Sequence, residues 1–337
     1  MTPDRLLEIW RQLGEETPSA TGMHRLRLDT ESPVDIFACI VWSGRRPGLL
    51  IEGAGEYRPA GDRIPVCRGV RTLHEVTRAP TPRTILRVLL EDDRLLEIFA
   101  VLSADLVEAV IAETTVAAGV RRCLDRLCMW QILFDRIPAE GLSEERQRGL
   151  FGELAVMDSL LLKILGSSAA VRSWVGPDPA NQDFVHRGTA IEVKTTLAKR
   201  HARVMISNEK QLDERPHDAL VLAHFRMDES ASLGETLTSL VARLRARLAA
   251  DPVSAREFDD RLTLAGYLDI HAQVYDRNKW LLSSTRFYRV QGDFPRLTEH
   301  NLPSGVGDIK YSIIADDLAR YEATAEQVAG LLEGVDV

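Results

Sequence analysis

The spacing of apolar side chains changes along the chain, and these changes predict where helices give way to strands. Leu6, Trp10 and Leu13 recur at the spacing of a helix face, which predicts an amphipathic helix over residues 1–16. Short β-branched and aromatic runs then follow, separated by Gly, Pro and Asp, as in a series of strands. Five strands are predicted, at Val34–Trp42, Gly48–Glu52, Gly69–Val76, Thr84–Leu90 and Leu95–Leu102. Residues 1–102 are therefore predicted to form a β-rich N-terminal domain.

Two helices are predicted to connect this domain to the rest of the chain. Ser103 is suited to cap the first, which extends to Ala118, and the second covers Arg121–Asp135. Gly and Pro break the pattern before Ser143, which has the side chain of a helix N-cap and is followed by two acids. The helical connector is predicted to span residues 103–142.

The middle of the chain is predicted to hold a hairpin and a buried strand. Residues 183–186 and 189–196 have the composition of two strands, and Arg187 and Gly188 lie between them as a two-residue loop. Beyond them we predict a strand at 204–207, a short helix at 208–213 and, from the apolar run Ala219–Phe225, a central buried strand. Residues 143–226 are predicted to be one core domain.

The last part of the chain, residues 227–337, has the pattern of an α+β lobe. Leucines at helical spacing predict a long helix, and turns separate the elements that follow. The predicted order is a helix at 233–250, a helix at 254–262, strands at 281–290 and 308–314, and a helix at 316–333. The fold class is predicted to be α/β (α+β).

Composition constrains the expected cellular location of the protein more than it constrains the function. The chain has 337 residues and a formal net charge of −8, which argues against a protein that coats nucleic acid non-specifically. No stretch of 18 uncharged apolar residues and no basic, apolar leader occurs, so we expect a soluble cytoplasmic protein. The four cysteines lack metal-site spacing and are expected to be reduced core residues. A nucleic-acid partner would have to be contacted locally.

The hairpin carries the candidate chemistry. With a two-residue loop, Asp183 lies opposite Glu192, and the period of two places Lys194 on the same face. Opposed side chains have Cβ atoms roughly 4.5–5.5 Å apart, so the two carboxylates need a positive charge between them. Asp178, in a Pro-Asp pair, is the runner-up acid, but the same register places it away from Glu192. Two acids and a lysine on one sheet face are what a metal-assisted phosphodiesterase needs.

A glutamate on the preceding helix is the second candidate. Glu153 lies at the edge of the apolar stripe that includes Leu150 and Leu154, where a carboxylate is costly unless it is paired. Gly149 and Gly152 lower the helix propensity of the same segment, which indicates close approach of backbone or ligand. Leu197–Arg203 is a basic loop that is able to clamp phosphates or to lie in solvent.

These motifs, in this order, resemble the PD-(D/E)XK nuclease superfamily. The matching residues are Gly149-x-x-Gly152-Glu153, Trp174-x-Gly176-Pro177, Asp183-Phe184, Glu192-Val-Lys194-Thr-Thr196 and Ile206-Ser-x-x-x-Gln211-Leu212. They are also similar to a family of uncharacterised bacterial proteins assigned to that superfamily, whose members occur beside ATPases and other defence genes. The resemblance covers most of the chain, although only residues 143–226 carry motifs.

The resemblance implies a restriction-endonuclease-like mixed-sheet core flanked by helices, and an Mg²⁺-dependent (or Mn²⁺-dependent) endonuclease. Asp183 and Glu192 would hold the metal, with the carbonyl of Val193 and the carboxylate of Glu153 as further ligands. Lys194 would orient the attacking water, and a polar residue on the following helix, here Gln211, often assists such sites.

The implied partners are DNA, with RNA as an open alternative, and ATPase or other subunits of a defence system; a homodimer is also a candidate. No membrane partner is expected. The rival hypothesis is a non-catalytic DNA-binding or scaffold subunit of a defence complex.

Overall fold

The structure is a computed structural model, and it groups the chain into two compact units, residues 1–140 and 141–337. It describes the chain except residues 18–21, 29–31, 33, 60–63, 79, 137–139, 179, 198–202, 230–231 and 335–337, and except the side chains of 132–136. Each unit has its own sheet and its own helices. The four-part division predicted from sequence differs from this, because the connector helices belong to the first unit and the core shares a sheet with the C-terminal lobe.

The first unit is an antiparallel sheet with three helices. Thr2 caps the first helix with its side chain, and the Pro at the first helical position also favours a helix that begins there. The sheet has the strand order β1-β2-β3-β5-β4. The elements are α1 (Pro3–Glu15), β1 (Met23–Arg27), β2 (Asp35–Val41), β3 (Arg46–Ala54), β4 (Val70–Thr77), β5 (Arg83–Leu90), α2 (Leu96–Ile111) and α3 (Val116–Arg136).

Three predictions for this unit are wrong. The run Leu95–Leu102, predicted as a strand, is the start of helix α2, and Ser103, predicted as its cap, is buried within that helix. The helix is buried on nearly all sides, so its sequence lacks the polar face that distinguishes a helix from a buried strand. The four cysteines are free, but Cys128 is exposed rather than in the core.

The second unit is a five-stranded mixed sheet between a helical layer and a two-stranded ribbon. Its strand order is β12-β10-β9-β7-β6, in which β7 and β9 are parallel and the other neighbours are antiparallel. The helices are α4 (Glu144–Val156), α5 (Leu162–Ser173), α6 (Leu237–Leu248), α7 (Pro252–Leu264), α8 (Ala272–Tyr275) and α9 (Ala325–Glu333). The strands are β6 (Phe184–His186), β7 (Thr189–Leu197), β8 (Arg203–Ile206), β9 (Ala219–Glu229), β10 (Trp280–Arg289), β11 (Tyr311–Ile314) and β12 (Glu322–Ala323).

The alternation of side chains along β7 divides the core of this unit in two. Ile191 and Val193 face a large apolar cluster formed with the helices, whereas Ala190 faces a smaller cluster under β8 and β11. Strands β8 and β11 pair with each other and form a ribbon on that side. Glu192 and Lys194 alternate with Val193 and therefore lie on the ribbon side of the sheet.

Most predicted elements of the second unit are present, with local differences. Ser143 caps α4 as predicted, and the mixed α/β (α+β) fold class is confirmed. The short helix predicted at 208–213 is wrong, because the side chain of Asn208 accepts the N–H groups of Lys210 (2.9 Å) and Gln211 (3.2 Å) and makes a turn. The final predicted helix divides into a 3₁₀ segment, Ala315–Tyr321, strand β12 and helix α9.

One helical stretch of the described chain, Glu144–Ser173, is long and apolar enough to cross a membrane when judged by length and composition alone. It contains α4, a π-helical segment at Met157–Leu161 and α5, with non-helical backbone at Gly166. Half of its apolar window (50%) is buried within the protein, as in a core helix, so it is weak evidence for a membrane span.

Candidate active site

The β6–β7 hairpin places an aspartate over the middle of β7. Arg187 and Gly188 form its turn with positive φ values of 44° and 82°, a geometry that glycine adopts without strain. The register pairs Phe184 with Ile191 and His186 with Thr189, as predicted. Asp183, the next residue outward, accepts the N–H of Val193 on Oδ2 at 2.6 Å. This bond holds its carboxylate beside the Glu192–Lys194 segment.

Glu192 and Lys194 form a buried ion pair on β7. The Nζ atom of Lys194 lies 2.6 Å from Oε1 of Glu192, and it donates to Oε1 of Gln211 at 3.2 Å. The amide oxygen of Gln211 also accepts the N–H of Ser207 at 2.8 Å, which fixes its orientation. Glu192 is 1% exposed, and its second oxygen, Oε2, is buried without a hydrogen-bond partner among the described atoms. That oxygen is the unsatisfied acceptor of the site.

Helix α4 supplies the third carboxylate. Oε2 of Glu153 accepts the indole N–H of Trp174 at 2.7 Å. Gly152, its neighbour, lets α4 approach β7 closely, since a Cβ there would lie 2.4 Å from Cγ2 of Thr195. A Cβ on Gly176 would lie 2.9 Å from Oε2 of Glu153 and 3.1 Å from Oδ1 of Asp183. The two carboxylates therefore converge beside one glycine.

All the candidate site residues line one cavity of about 520 Å³. The cavity lies where β7 passes between helix α4 and the turn at residues 208–211. Its lining includes Glu145, Arg148, Gly149, Glu153, Asp183, Glu192, Val193, Lys194, Thr195, Thr196, Leu197, Arg203, Met205, Ser207 and Gln211. The structure thus brings together Asp183, Glu192, Lys194, Glu153 and Gln211, which the sequence placed on four separate segments.

The electrostatics of the cavity favour protons or a cation on its acids. Burial raises the pKa of Asp183 to about 6. Burial, and then the charge of Asp183, raise the pKa of Glu192 to about 8. The same two causes raise the pKa of Glu153 well above its usual range. Burial alone would lower the pKa of Lys194, but Glu192, Asp183 and Glu153 raise it, so this lysine is an ammonium.

The donor set fits a hard divalent cation that takes few protein ligands. Among the described residues, no group of three or more His, Cys, Asp or Glu side chains has the arrangement of a metal site. Mg²⁺ usually needs only one or two carboxylates, together with waters and phosphate oxygens. Asp183 and Glu192, with its unsatisfied Oε2, have this chemistry. A cation there would also replace the protons that the raised pKa values imply.

The other acid considered from sequence lies elsewhere. Asp178 is in the turn after α5, where its Oδ2 pairs with Nη1 of Arg261 at 3.2 Å, and it does not line the cavity. Of the basic loop at 197–203, Leu197 and Arg203 line the cavity, whereas Lys199, Arg200 and His201 lie outside the described residues.

Three residues that support the cavity were not among the predicted site residues. Trp174 orients Glu153, and Arg148 lines the cavity. Gln182, 5% exposed, donates to the carbonyls of Lys210 (2.9 Å) and Gln211 (3.3 Å) and so holds the turn under Lys194. Only Trp174 stood in a recognised motif; the other contacts join segments distant in sequence.

Comparison with known proteins assigns the chain to a family. No curated protein and no solved structure matches the chain. A family model described as "Putative PD-(D/E)XK family member, (DUF4420)" matches residues 6–316, which is nearly the whole chain. The cavity, with its acids and the Glu192-x-Lys194 pair on adjacent segments, lies within the matched residues. The chain therefore belongs to the DUF4420 family, and its mixed α+β fold is consistent with the PD-(D/E)XK type.

Proposed function

We propose that this protein is a Mg²⁺-dependent endonuclease that hydrolyses phosphodiester bonds in DNA. The observation that carries the proposal is the buried Glu192–Lys194 pair, with Asp183 bonded to the intervening Val193. An unsatisfied carboxylate oxygen and a charged ammonium are thereby held side by side, on residues that only Val193 separates, in a cavity open to a substrate. Family membership supports the reaction class.

Each residue has a role that follows from its contacts. Asp183 and Glu192 would hold the metal ion, with the Val193 carbonyl and Glu153 as further ligands. When bound, the ion would acidify a water molecule and offset charge on the phosphate oxygens. Glu192, Asp183 and Glu153 raise the pKa of Lys194 in spite of its burial, so its charged Nζ would orient the attacking water and stabilise the negative charge that develops on phosphorus oxygens. Gln211 fixes the position of that Nζ atom.

The acids also explain why DNA binding should depend on metal. Four carboxyl groups, including that of Glu145, line the same cavity, and any of them that ionises without a cation repels a phosphate. A divalent ion reverses the local charge. We therefore expect tighter DNA binding when Mg²⁺ is present.

Cleavage of supercoiled plasmid tests the proposal. Wild type should nick plasmid with Mg²⁺ or Mn²⁺ and not with EDTA, and Lys194→Ala should be slower by about 10²-fold or more. Lys279→Ala is the matched control, because Lys279 does not line the cavity. Equal rates for wild type and Lys194→Ala, or no cleavage with any divalent ion, would reject the proposal.

The second candidate is a non-catalytic DNA-binding or scaffold subunit. The raised pKa values of Asp183 and Glu192 favour this second candidate, because protons can neutralise the buried acids without a metal. Calorimetry separates the two, since a scaffold should show no Mg²⁺ binding that depends on Asp183. With either function, we place the protein in the cytoplasm of a bacterial cell, in defence against phage or foreign DNA alongside ATPase subunits, a setting that rests on the sequence resemblance.

A further inference from the structure

The ribbon formed by β8 and β11 presents an exposed face beside the cavity. Val204 pairs with Ile313, and both are buried in the apolar cluster beneath the ribbon. The alternate positions therefore point outward. Arg203 pairs with Ile314, and Met205 pairs with Ser312, and all four of these residues are exposed.

Two large apolar side chains lie on this outward face. Met205 is 57% exposed and Ile314 is 47% exposed. Single exposed apolar side chains are common, but Met205 also lines the cavity with Lys194 and the acids. A substrate that reaches Lys194 therefore passes this side chain. A hydrogen bond links the segments that flank the ribbon, because Oε2 of Glu209 accepts the N–H of Ile309 at 3.0 Å.

Two arginines reach the cavity from opposite sides of β7. Arg203 projects from the ribbon, and Arg148 projects from helix α4. The Nε atom of Arg148 is buried without a hydrogen-bond partner among the described atoms, and its guanidinium lies 3.9 Å from Glu144. Both cations are placed to contact the phosphates of a chain that crosses the acids.

The surroundings favour a duplex over a single strand. Proteins that bind single strands stack bases on exposed aromatic rings. Among the described residues, no aromatic side chain lines the cavity, and none is one of the large exposed apolar side chains. A two-stranded ribbon, with strands about 4.8 Å apart, fits within the major groove of B-DNA, which is about 12 Å wide.

We infer that the β8–β11 ribbon is the base-contacting element of this protein, entering a groove of duplex DNA. Met205 and Ile314 contact base edges, while Arg203 and Arg148 contact the flanking phosphates. This inference rests on the proposed DNA substrate but not on cleavage. It assigns recognition to a pair of strands that lies outside the catalytic hairpin.

Binding of a fluorescent duplex oligonucleotide tests the inference when the affinity is measured over a range of salt concentrations. All variants are made on a Lys194→Ala background with Mg²⁺, so that cleavage does not interfere. Met205→Ala should weaken binding by about tenfold with an unchanged salt slope, because the lost contact is apolar. Arg203→Gln should weaken binding and also reduce the slope of log K against log salt by about one.

Two exposed residues away from the cavity provide matched controls. Leu282→Ala and Arg277→Gln should bind like the parent, since neither residue lines the cavity. Parental affinity for both Met205→Ala and Ile314→Ala would overturn the inference. So would tighter binding of a single strand or of RNA than of the duplex. If the ribbon variants lose duplex binding while wild type fails to cut plasmid, the inference stands and the proposed cleavage fails. The reverse holds if wild type cuts plasmid and the same ribbon substitutions, made in a chain that keeps Lys194, leave the cleavage rate unchanged.

Discussion

Replacing Glu192 by glutamine should stabilise the metal-free protein at alkaline pH. Glu192 is 1% exposed, and burial and the charge of Asp183 raise its pKa from 4.5 to about 8. A carboxyl group whose pKa is raised by folding does not destabilise the protein when the pH is below its pKa in the unfolded chain. The free energy of unfolding then falls as the pH rises from that pKa toward the pKa in the folded protein. The window for this loss is therefore pH 4.5 to 8.

The size of the effect follows from the shift. At 1.36 kcal/mol per pKa unit, the free energy of unfolding of wild type should fall by about 5 kcal/mol across that window because of Glu192 alone. Glutamine has the same shape and retains an oxygen for the Nζ atom of Lys194, but it does not ionise. The variant should therefore lack this part of the pH dependence.

Urea denaturation at several pH values between 4.5 and 8, in EDTA, measures the effect as the difference between wild type and Glu192→Gln. The difference should grow with pH in favour of the variant. Glu145→Gln, at an exposed acid of the same cavity, is the control and should follow wild type. If the free energy of unfolding of wild type and Glu192→Gln changed with pH in parallel, the buried carboxyl group would not be destabilising. That result would refute the argument that this group needs a cation to neutralise it.

Other residues around the cavity give further expectations. Trp174→Phe removes the 2.7 Å hydrogen bond to Glu153, so Mg²⁺ affinity measured by calorimetry should fall about 10-fold or more; unchanged affinity would exclude Glu153 from the metal site. Gly152→Ala should lower stability by about 1–3 kcal/mol in thermal unfolding, because its Cβ would lie 2.4 Å from Thr195. Gly149→Ala should instead raise it by about 1 kcal/mol, because a Cβ there would meet no described atom of another element within 4 Å. Equal effects of the two alanines would contradict the close packing of α4 on β7.

The sequence predicts those parts of the site that short stretches of chain determine by themselves. The Arg187–Gly188 turn fixes the register of the hairpin, so the approach of Asp183 to the Glu192–Lys194 segment follows from chain geometry. The hydrogen bond from Gln182 to the carbonyl of Lys210 joins segments that only the tertiary fold brings together. No local pattern encodes such a contact.

Three errors in the predicted elements have physical causes as well. Helix α2 is buried on most sides, and its apolar run has the composition of a buried strand. Strand β1 was not predicted because its last three residues, two of them arginines, are exposed, and the strand lacks the alternation of a half-buried strand. At residues 208–213, the side chain of Asn208 competes for the N–H groups that a helix would need.

The central claim is that Asp183, rather than the nearby Asp178, belongs to a metal-dependent nuclease site. Asp183 is bonded to Val193 in the cavity, whereas Asp178 pairs with Arg261 outside it. The most direct measurement is the rate of plasmid cleavage in Mg²⁺ for Asp183→Asn and Asp178→Asn side by side. We predict that Asp183→Asn abolishes cleavage and that Asp178→Asn retains it at close to the wild-type rate. Full activity in Asp183→Asn, or loss of activity in Asp178→Asn alone, would contradict the account.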